Sequence, residues 1–131
     1  MVVLDSSYAL ALAFPDESPP DSRDHVLAQA LIAPHIFPVE VANAALNSVR
    51  RRRYLLADAE RVCRVIEALA VAAQPPPSVG PAFHLRMALA HGLTADNALY
   101  LDLAQVTRRP LATRDAALAA AARKAGVEVF C

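Results

Sequence analysis

Val2-Val3-Leu4-Asp5-Ser6-Ser7 contains a short apolar strand, an acidic residue at its end and the first residues of a helix. The β-branched run predicts a strand over residues 2–4. The Ala- and Leu-rich segment after it predicts a helix that ends at about residue 14, with Ser6 and Ser7 capping its start. A strand that continues directly into a helix is typical of a parallel sheet, because parallel neighbours need a crossover connection.

The same alternation of apolar runs and amphipathic segments continues along the chain, with Thr94 expected as a helix N-cap and Gly92 as a left-handed C-cap. Strands are predicted over residues 2–4, 31–33, 71–74, 111–113 and 127–130. Helices are predicted over residues 6–14, 21–30, 39–53, 58–69, 79–91, 94–107 and 115–125. We therefore expect a three-layer α/β fold of one domain over residues 1–131, with about five parallel strands flanked by helices.

The composition excludes several classes of protein. The chain is 56% hydrophobic, which excludes a disordered protein. No apolar run reaches the roughly 18 to 20 residues of a membrane span, and the N-terminus lacks the pattern of a signal peptide, so we expect a cytoplasmic protein without membrane contact. The 13 basic and 13 acidic residues balance, which argues against a purely electrostatic nucleic-acid coat protein. Cys63 and Cys131 indicate neither a disulfide framework nor a zinc site.

Two acidic residues directly follow predicted strands. Asp5 comes after the first strand and Asp115 comes shortly after residues 111–113. In an open parallel sheet, ligands bind beyond the carboxyl ends of the strands, where the strand order reverses. Both residues are therefore candidates for a functional site. Helix N-capping is the alternative explanation for each of them.

Glu40 lies one turn into its predicted helix, and Asn43 and Asn47 share its face at i+3 and i+7. These three residues form a polar stripe on an otherwise apolar helix. One interpretation is a carboxylate directed at a shared cation, with amide side chains beside it. The alternative is an acid that favours the positive end of the helix dipole while the two amides face solvent.

The segment from Thr94 to Tyr100 is the third candidate. With Thr94 as the cap, Asp96 and Asn97 lie in the first turn of a helix that is apolar around most of its circumference, and Tyr100 lies one turn later on the Asn97 face. Such a helix is expected to be buried, so its polar first turn must find partners or line a cavity. Asp96 alone is also explained as an acid near the positive end of the helix dipole.

Carboxylates from separate elements at one end of a sheet repel one another, and a divalent cation relieves that repulsion. Oxygen ligands without histidine or cysteine suit Mg²⁺ or Mn²⁺. Other chemistries find little support: the chain has three glycines and no phosphate-binding glycine loop, and its four histidines lack metal-ligand spacing. The arginine run over residues 50–53 is expected to end a helix and face solvent, with an RNA-contact patch as the alternative.

In order along the chain, these residues resemble a PIN domain, and specifically a toxin of the VapC type from VapBC toxin–antitoxin pairs. The resemblance covers nearly the whole sequence. The segments that carry it are Val2-Val3-Leu4-Asp5-Ser6-Ser7, Phe37-Pro38-Val39-Glu40-Val41-Ala42-Asn43-Ala44, His91-Gly92-Leu93-Thr94, Ala98-Leu99-Tyr100-Leu101, Leu111-Ala112-Thr113-Arg114-Asp115 and Gly126-Val127-Glu128-Val129.

This resemblance implies a five-stranded parallel sheet, a ribonuclease that depends on Mg²⁺ or Mn²⁺, frequent homodimerisation and inhibition by a small cognate antitoxin of the VapB kind. Asp5, Glu40 and Asp115 match three acidic positions of the family. Asn97 falls on the position of the family's third acid, and Asp96 occupies the place before it, which is usually not acidic. We expect these five residues to bind the metal. Polar residues expected to support them are Ser6, Asn43 and Thr113.

Three functions follow as hypotheses. The first is an endoribonuclease in which Asp5, Glu40 and Asp115, with Asn97 or Asp96, hold a metal ion that activates water. The second is a catalytically weakened module that binds RNA or an antitoxin, because Asn97 lacks the charge of an acid. The third, a phosphoacceptor receiver domain, is disfavoured. Such a domain needs paired acids after the first strand and a lysine after a late one, whereas the only lysine here is Lys124 in the last predicted helix.

Overall fold

The sheet has five parallel strands in a computed structural model that describes residues 1–131. The strands are β1 (Val2–Leu4), β2 (Leu31–Ala33), β3 (Ala72–Ala73), β4 (Leu111–Ala112) and β5 (Val129–Phe130). Their order is β3-β2-β1-β4-β5, and β1 is paired with β2 on one side and with β4 on the other. The chain therefore builds the sheet outward from β1 in one direction and then in the other. The strand order reverses between β1 and β4.

Seven helices flank the sheet. They are α1 (Ser6–Ala13), α2 (Arg23–Leu27), α3 (Phe37–Arg50), α4 (Leu56–Glu67), α5 (Pro81–His91), α6 (Ala95–Thr107) and α7 (Ala116–Lys124). Helix α4 packs against α1 and α3, whereas α6 packs against α5 and α7 and also lies on β1 and β4. The predicted α/β fold with a parallel sheet flanked by helices is confirmed. None of these helices is both long and apolar enough to cross a membrane.

The core forms around β1, the central strand. All three of its residues are fully buried, so its apolar run does not alternate with polar residues, as expected for a parallel strand covered on both faces. Tyr8 on α1 and Tyr100 on α6 are also fully buried, and both belong to the same apolar cluster as β1. This packing fixes the carboxyl end of β1, and therefore Asp5, in the middle of the sheet edge.

Helix boundaries differ from the predictions where local signals compete. Helix α3 spans Phe37–Arg50 rather than residues 39–53: Pro38 lies in its first turn, where the missing N–H removes no helical hydrogen bond, and Arg52 has φ of +57° just beyond its end. Helix α2 ends at Leu27 rather than at about residue 30, and Val26 is its only buried residue. So short a helix gains little from packing.

The helix caps are partly as predicted. Thr94 accepts a hydrogen bond from the Asn97 amide, and Gly92 ends α5 in the left-handed conformation with φ of +64°. The prediction that Ser6 and Ser7 cap α1 is wrong. Both residues lie inside the helix, and the residue before it, Asp5, makes no side-chain cap hydrogen bond because its carboxylate is engaged elsewhere.

Arg53 also departs from the prediction of a solvated arginine run that ends a helix. Its Nη2 and Nε donate to the two carboxylate oxygens of Asp16 at 2.6 and 3.0 Å. Its guanidinium lies 4.8 Å from the ring centre of Phe14 and 5.1 Å from that of Tyr54, and the Tyr54 hydroxyl also donates to Asp16. This cluster attaches the loop after α1 to the turn between α3 and α4.

We expect Asp16→Asn to lower the stability of the protein at neutral pH. Hydrogen bonds from Arg53 and Tyr54 lower the pKa of Asp16 below its usual value of 3.8. The stabilisation is therefore complete above the pKa of the unfolded chain and disappears as the pH falls through the lower folded pKa. Urea denaturation should separate the variant from the wild type at pH 7, and the difference should shrink below about pH 3.

The matched control for this experiment is Asp24→Asn. Asp24 pairs with Arg23 at 3.4 Å, but its side chain is 93% exposed and no aromatic ring covers the pair. Such a pair contributes little to stability. An equal loss of stability in both variants would contradict the assignment of a stabilising cluster to Arg53.

Candidate functional site

The candidate polar residues, from strand ends and from the first turns of helices, converge on one edge of the sheet. Asp5 follows β1, and its amide donates to the Ala112 carbonyl of β4 at 2.9 Å, which places it beside the end of that strand. Asp115 lies just beyond β4. Glu40 comes from the first turn of α3, and Asp96 and Asn97 come from the first turn of α6. The cluster therefore lies where the strand order reverses.

Asp5 is the most firmly held of these residues. It is only 3% exposed, and its Oδ2 accepts hydrogen bonds from Ser7 Oγ at 2.5 Å and from Thr113 Oγ1 at 2.7 Å. Ser6 Oγ lies 3.4 Å from Oδ1. Burial raises the pKa of Asp5, the hydrogen bonds from Ser7 and Thr113 oppose that rise, and the charge of Asp115 adds to it. The hydrogen bonds thus orient the carboxylate, while burial and the charge of Asp115 make its ionised form less favourable.

Ser7 and Thr113 connect the two strand ends. Ser7 Oγ accepts a hydrogen bond from the Arg114 amide at 2.9 Å, and Thr113 Oγ1 accepts one from the Asp115 amide at 3.0 Å. Thr113 lies where it is expected to support the acids, whereas Ser7, for which only a capping role is expected, donates to Asp5. The signal that could have identified Ser7 is its position two residues after Asp5, from which a hydroxyl can bond back to a preceding carboxylate.

Asp115 has two partners. Its Oδ1 accepts from the Leu118 amide at 2.8 Å, so the capping explanation holds for this residue. Its Oδ2 lies 3.4 Å from Asn97 Nδ2, which donates to it. A second carboxylate at this position would repel Asp115. The Asn97 amide instead donates a hydrogen bond to it.

Asp96 lies on the side of the cluster that faces Glu40. It is exposed. Partial burial raises its pKa, but the hydrogen bonds that its carboxylate accepts from Thr94, from backbone amides and from the protonated carboxyl group of Glu40 lower the pKa overall. The first turn of α6 thus directs a neutral amide at Asp115 and a carboxylate at Glu40.

Glu40 is half-buried, and its carboxyl group has the most perturbed acidity in the cluster. Its pKa is raised to about 7, chiefly by burial; the carboxylates of Asp5 and Asp96 add to this rise, and a hydrogen bond from Tyr100 opposes it. The Tyr100 hydroxyl donates to Glu40 Oε1 at 2.5 Å. Glu40 therefore exchanges a proton near neutral pH, as groups at functional sites often do.

The two asparagines that share the Glu40 helix face do not join the cluster. Asn43 and Asn47 are exposed, and neither side chain makes a hydrogen bond within the protein. Asn43 and Asn47 therefore fit the interpretation in which the two amides of this helix face solvent. Glu40, by contrast, is drawn inward by Tyr100.

No arginine or lysine neutralises these acids. The five ion pairs of the protein involve Asp16, Glu17, Asp24, Asp58 and Glu60, and none of them involves Asp5, Glu40, Asp96 or Asp115. Uncompensated carboxylates at this spacing repel one another, and this repulsion adds to burial, which is the main cause of the raised pKa values of Asp5 and Glu40.

The donor set fits a hard divalent cation such as Mg²⁺ or Mn²⁺ in type and in charge, because it consists of carboxylate and amide oxygens that lack a counter-charge. As they stand, however, no three acidic, histidine or cysteine side chains surround a common point closely enough to hold an ion. Binding would therefore require exposed side chains such as Asp96 to turn toward Asp5.

Comparison with known proteins supports the fold. No family model matches the sequence, and no curated protein matches it. Among solved structures, the chain is similar to PAE2754 from Pyrobaculum aerophilum, with 27% sequence identity and a TM-score of 0.71. The match covers 98% of this chain and 89% of PAE2754. The similarity therefore extends over nearly the whole chain.

We expect Glu40→Gln to stabilise the protein above neutral pH. The folded pKa of about 7 exceeds the ordinary value of 4.5, so the folded protein binds more protons than the unfolded chain between these values. Wild-type stability should therefore fall as the pH rises from about 4.5 to about 7 and stay low above that range. Glu40→Gln has no ionisable group at this position, so its stability should not show this fall. Urea denaturation of both proteins at pH 4 and pH 8 measures the difference in stability.

Glu128→Gln is the control, because Glu128 is exposed and lies in no ion pair. Its stability relative to the wild type should be nearly the same at both pH values. If the stability of Glu40→Gln relative to the wild type is also the same at both pH values, the pKa of Glu40 is not raised in the folded protein.

Proposed function

We propose that the protein is a PIN-domain endoribonuclease of the VapC kind, which depends on Mg²⁺ or Mn²⁺ and hydrolyses RNA phosphodiesters in the cytoplasm as the toxin of a type II toxin–antitoxin pair. The observation that carries this proposal is the group of acids without a counter-charge at the reversal of strand order: Asp5, Glu40, Asp96 and Asp115. A structural role alone does not require these four acids to lie together, because each raises the electrostatic cost of its neighbours.

Each residue has a distinct part in this proposal. Asp5 is the fixed carboxylate, held by Ser7 and Thr113, around which the other ligands would assemble. Glu40, Asp96, Asn97 and Asp115 supply the further oxygens. A bound divalent ion neutralises phosphate charge and activates water. The chain provides the orientation of these oxygens and excludes solvent from the Asp5 side of the site, where Thr113 and β1 are completely buried.

The partners proposed with this function are RNA, a cognate antitoxin of the VapB kind and a second copy of the chain. Apolar surface supports a protein partner. Cavities of about 330 and 560 Å³ lie beside α3 and α4 and have mostly apolar linings, and Leu85 and Leu89 on α5 are 60% and 73% exposed. Light scattering checks the homodimer, whose mass should be twice the 14.0 kDa of one chain.

We expect Asp5→Asn to abolish RNA cleavage. The substitution keeps the size and most hydrogen-bonding ability of the side chain but removes the charge, so the loss should reach at least about 100-fold in the presence of Mn²⁺. Asp21→Asn is the control, because Asp21 is exposed and lies in no ion pair. Cleavage that persists unchanged in the Asp5 variant would identify a contaminating nuclease and remove the proposal.

A second readout of the same variants does not depend on cleavage. An ion that binds only the folded protein raises its melting temperature. Mn²⁺ should therefore raise the melting temperature of the wild type and of the Asp21 variant but not that of the Asp5 variant. An equal rise in all three proteins would mean that Mn²⁺ binds outside the acidic cluster.

A second candidate function is a binding module of the same fold without turnover. Asn97 favours it, because an amide that donates to Asp115 occupies the position of the family's third acid. In that case Asn97→Asp should create cleavage that the wild type lacks. Asn47→Asp adds the same charge at an exposed position on α3 and should not create it. Robust cleavage by the wild type would exclude the binding module.

A further inference from the structure

Tyr100 joins the two helical layers of the protein at the acidic edge. It lies on α6, three residues after Asn97, and its hydroxyl reaches Glu40 in the first turn of α3 at 2.5 Å. The two residues are 60 positions apart in the chain. Helices α3 and α6 belong to different layers, so this hydrogen bond spans the sheet edge beside Asp5.

The Tyr100 hydroxyl is always the donor in its hydrogen bond with Glu40. Burial and the neighbouring Glu40 carboxylate raise the pKa of Tyr100, so the phenol remains protonated and donates. Because the Tyr100 side chain is fully buried, its hydroxyl needs an acceptor inside the protein, and losing that acceptor leaves an unsatisfied polar group. Glu40 is therefore held by a rigid ring whose position is set by the apolar core, although Glu40 itself is a half-exposed side chain on a helix surface.

The hydrogen bond from Tyr100 opposes the electrostatic repulsion between Glu40 and the neighbouring carboxylates. Asp5 and Asp96 both act on Glu40 through their charges. A free glutamate, with three rotatable side-chain bonds, would turn toward solvent under that repulsion. The phenol keeps one carboxylate oxygen at the edge of the cluster, where the other carboxylates lie.

We propose that Tyr100 is a positioning residue, which fixes the Glu40 carboxylate beside Asp5 and thereby prepares the site for its cation. This inference rests on the proposed function for the identity of the ligand. It assigns to Tyr100 a part that does not require contact with RNA or with the ion. A purely structural role for Tyr100 would involve its ring and not its hydroxyl.

Tyr100→Phe tests the inference because it removes only the hydroxyl. In glutamate-labelled protein without metal, the side-chain carboxyl carbons of the five glutamates give separate ¹³C signals, and Glu40→Gln identifies the signal of Glu40. We expect this signal to move in Tyr100→Phe. Titration calorimetry with Mn²⁺ should show a loss of affinity of about 10-fold, the usual size of such an effect of a residue behind a metal ligand.

Tyr8→Phe is the matched control. Tyr8 is also fully buried, and its hydroxyl is hydrogen-bonded to Ser22 at 2.8 Å, outside the cluster. It should leave the Glu40 signal and the Mn²⁺ affinity unchanged. If Tyr100→Phe fails to fold, the Glu40 carboxyl signal of the wild type is compared in H₂O and D₂O, because a deuterium on the Tyr100 hydroxyl shifts the signal of the carboxyl group that it donates to; the absence of this isotope shift would overturn the positioning role.

The outcomes separate the two proposals. A Glu40 signal that stays in place in Tyr100→Phe overturns the positioning role, whatever the protein does to RNA. A signal that moves without any loss of Mn²⁺ affinity overturns the part of Tyr100 in preparing the site. A wild type that neither binds Mn²⁺ nor cleaves RNA overturns the proposed function, and the carboxyl signal then still decides whether Tyr100 orients Glu40. Movement of the signal together with weaker binding supports both.

Discussion

A buried carboxylate at the end of the central strand is the constraint on which the rest of this structure depends. Asp5 follows β1, a strand covered on both faces, and is therefore removed from water without any cationic partner. Burial of a charged group is costly unless hydrogen bonds compensate it. Ser7 and Thr113 provide those bonds, and they also connect the segment after β1 with the segment after β4. The pairing of β1 with β4 brings these two distant parts of the chain together, and their hydroxyl groups then stabilise Asp5.

The remaining acids are distributed around Asp5 in two groups. Asp115 caps α7 and accepts a hydrogen bond from Asn97, so its charge is largely engaged by the protein. Glu40 and Asp96 lie on the other side, where the charges of Asp96 and Asp5 both raise the pKa of Glu40. The neutral amide of Asn97 donates to Asp115 and adds no charge beside it, whereas the charge of Asp96, one residue earlier, raises the pKa of Glu40.

Stability and function oppose each other at this edge. The apolar core around β1, Tyr8 and Tyr100 stabilises the fold, whereas the acids at the ends of the strands destabilise it at neutral pH. Elsewhere the protein places its charges differently: Arg53 meets Asp16 directly and lies against two aromatic rings. The charges are therefore paired at the loop after α1, where they stabilise the protein, and unpaired at the sheet edge, an arrangement that is common at functional sites.

The parallel sheet, the sequence of its elements and the convergence of Asp5 and Asp115 on one edge follow from local patterns. Apolar runs, proline and glycine positions and caps such as Thr94 act within a few residues, and an acid that follows a parallel strand must lie at the carboxyl edge. The end of α3, the bond from Tyr100 to Glu40 and the pairing of Arg53 with Asp16 do not follow from such patterns. They depend on which side chains meet across 37 to 60 residues of chain, and Ser7 and Thr113 meet across 106. Periodicity indicates which face of an element is buried, but only the packed core sets the distances between hydroxyl and carboxylate groups on different elements.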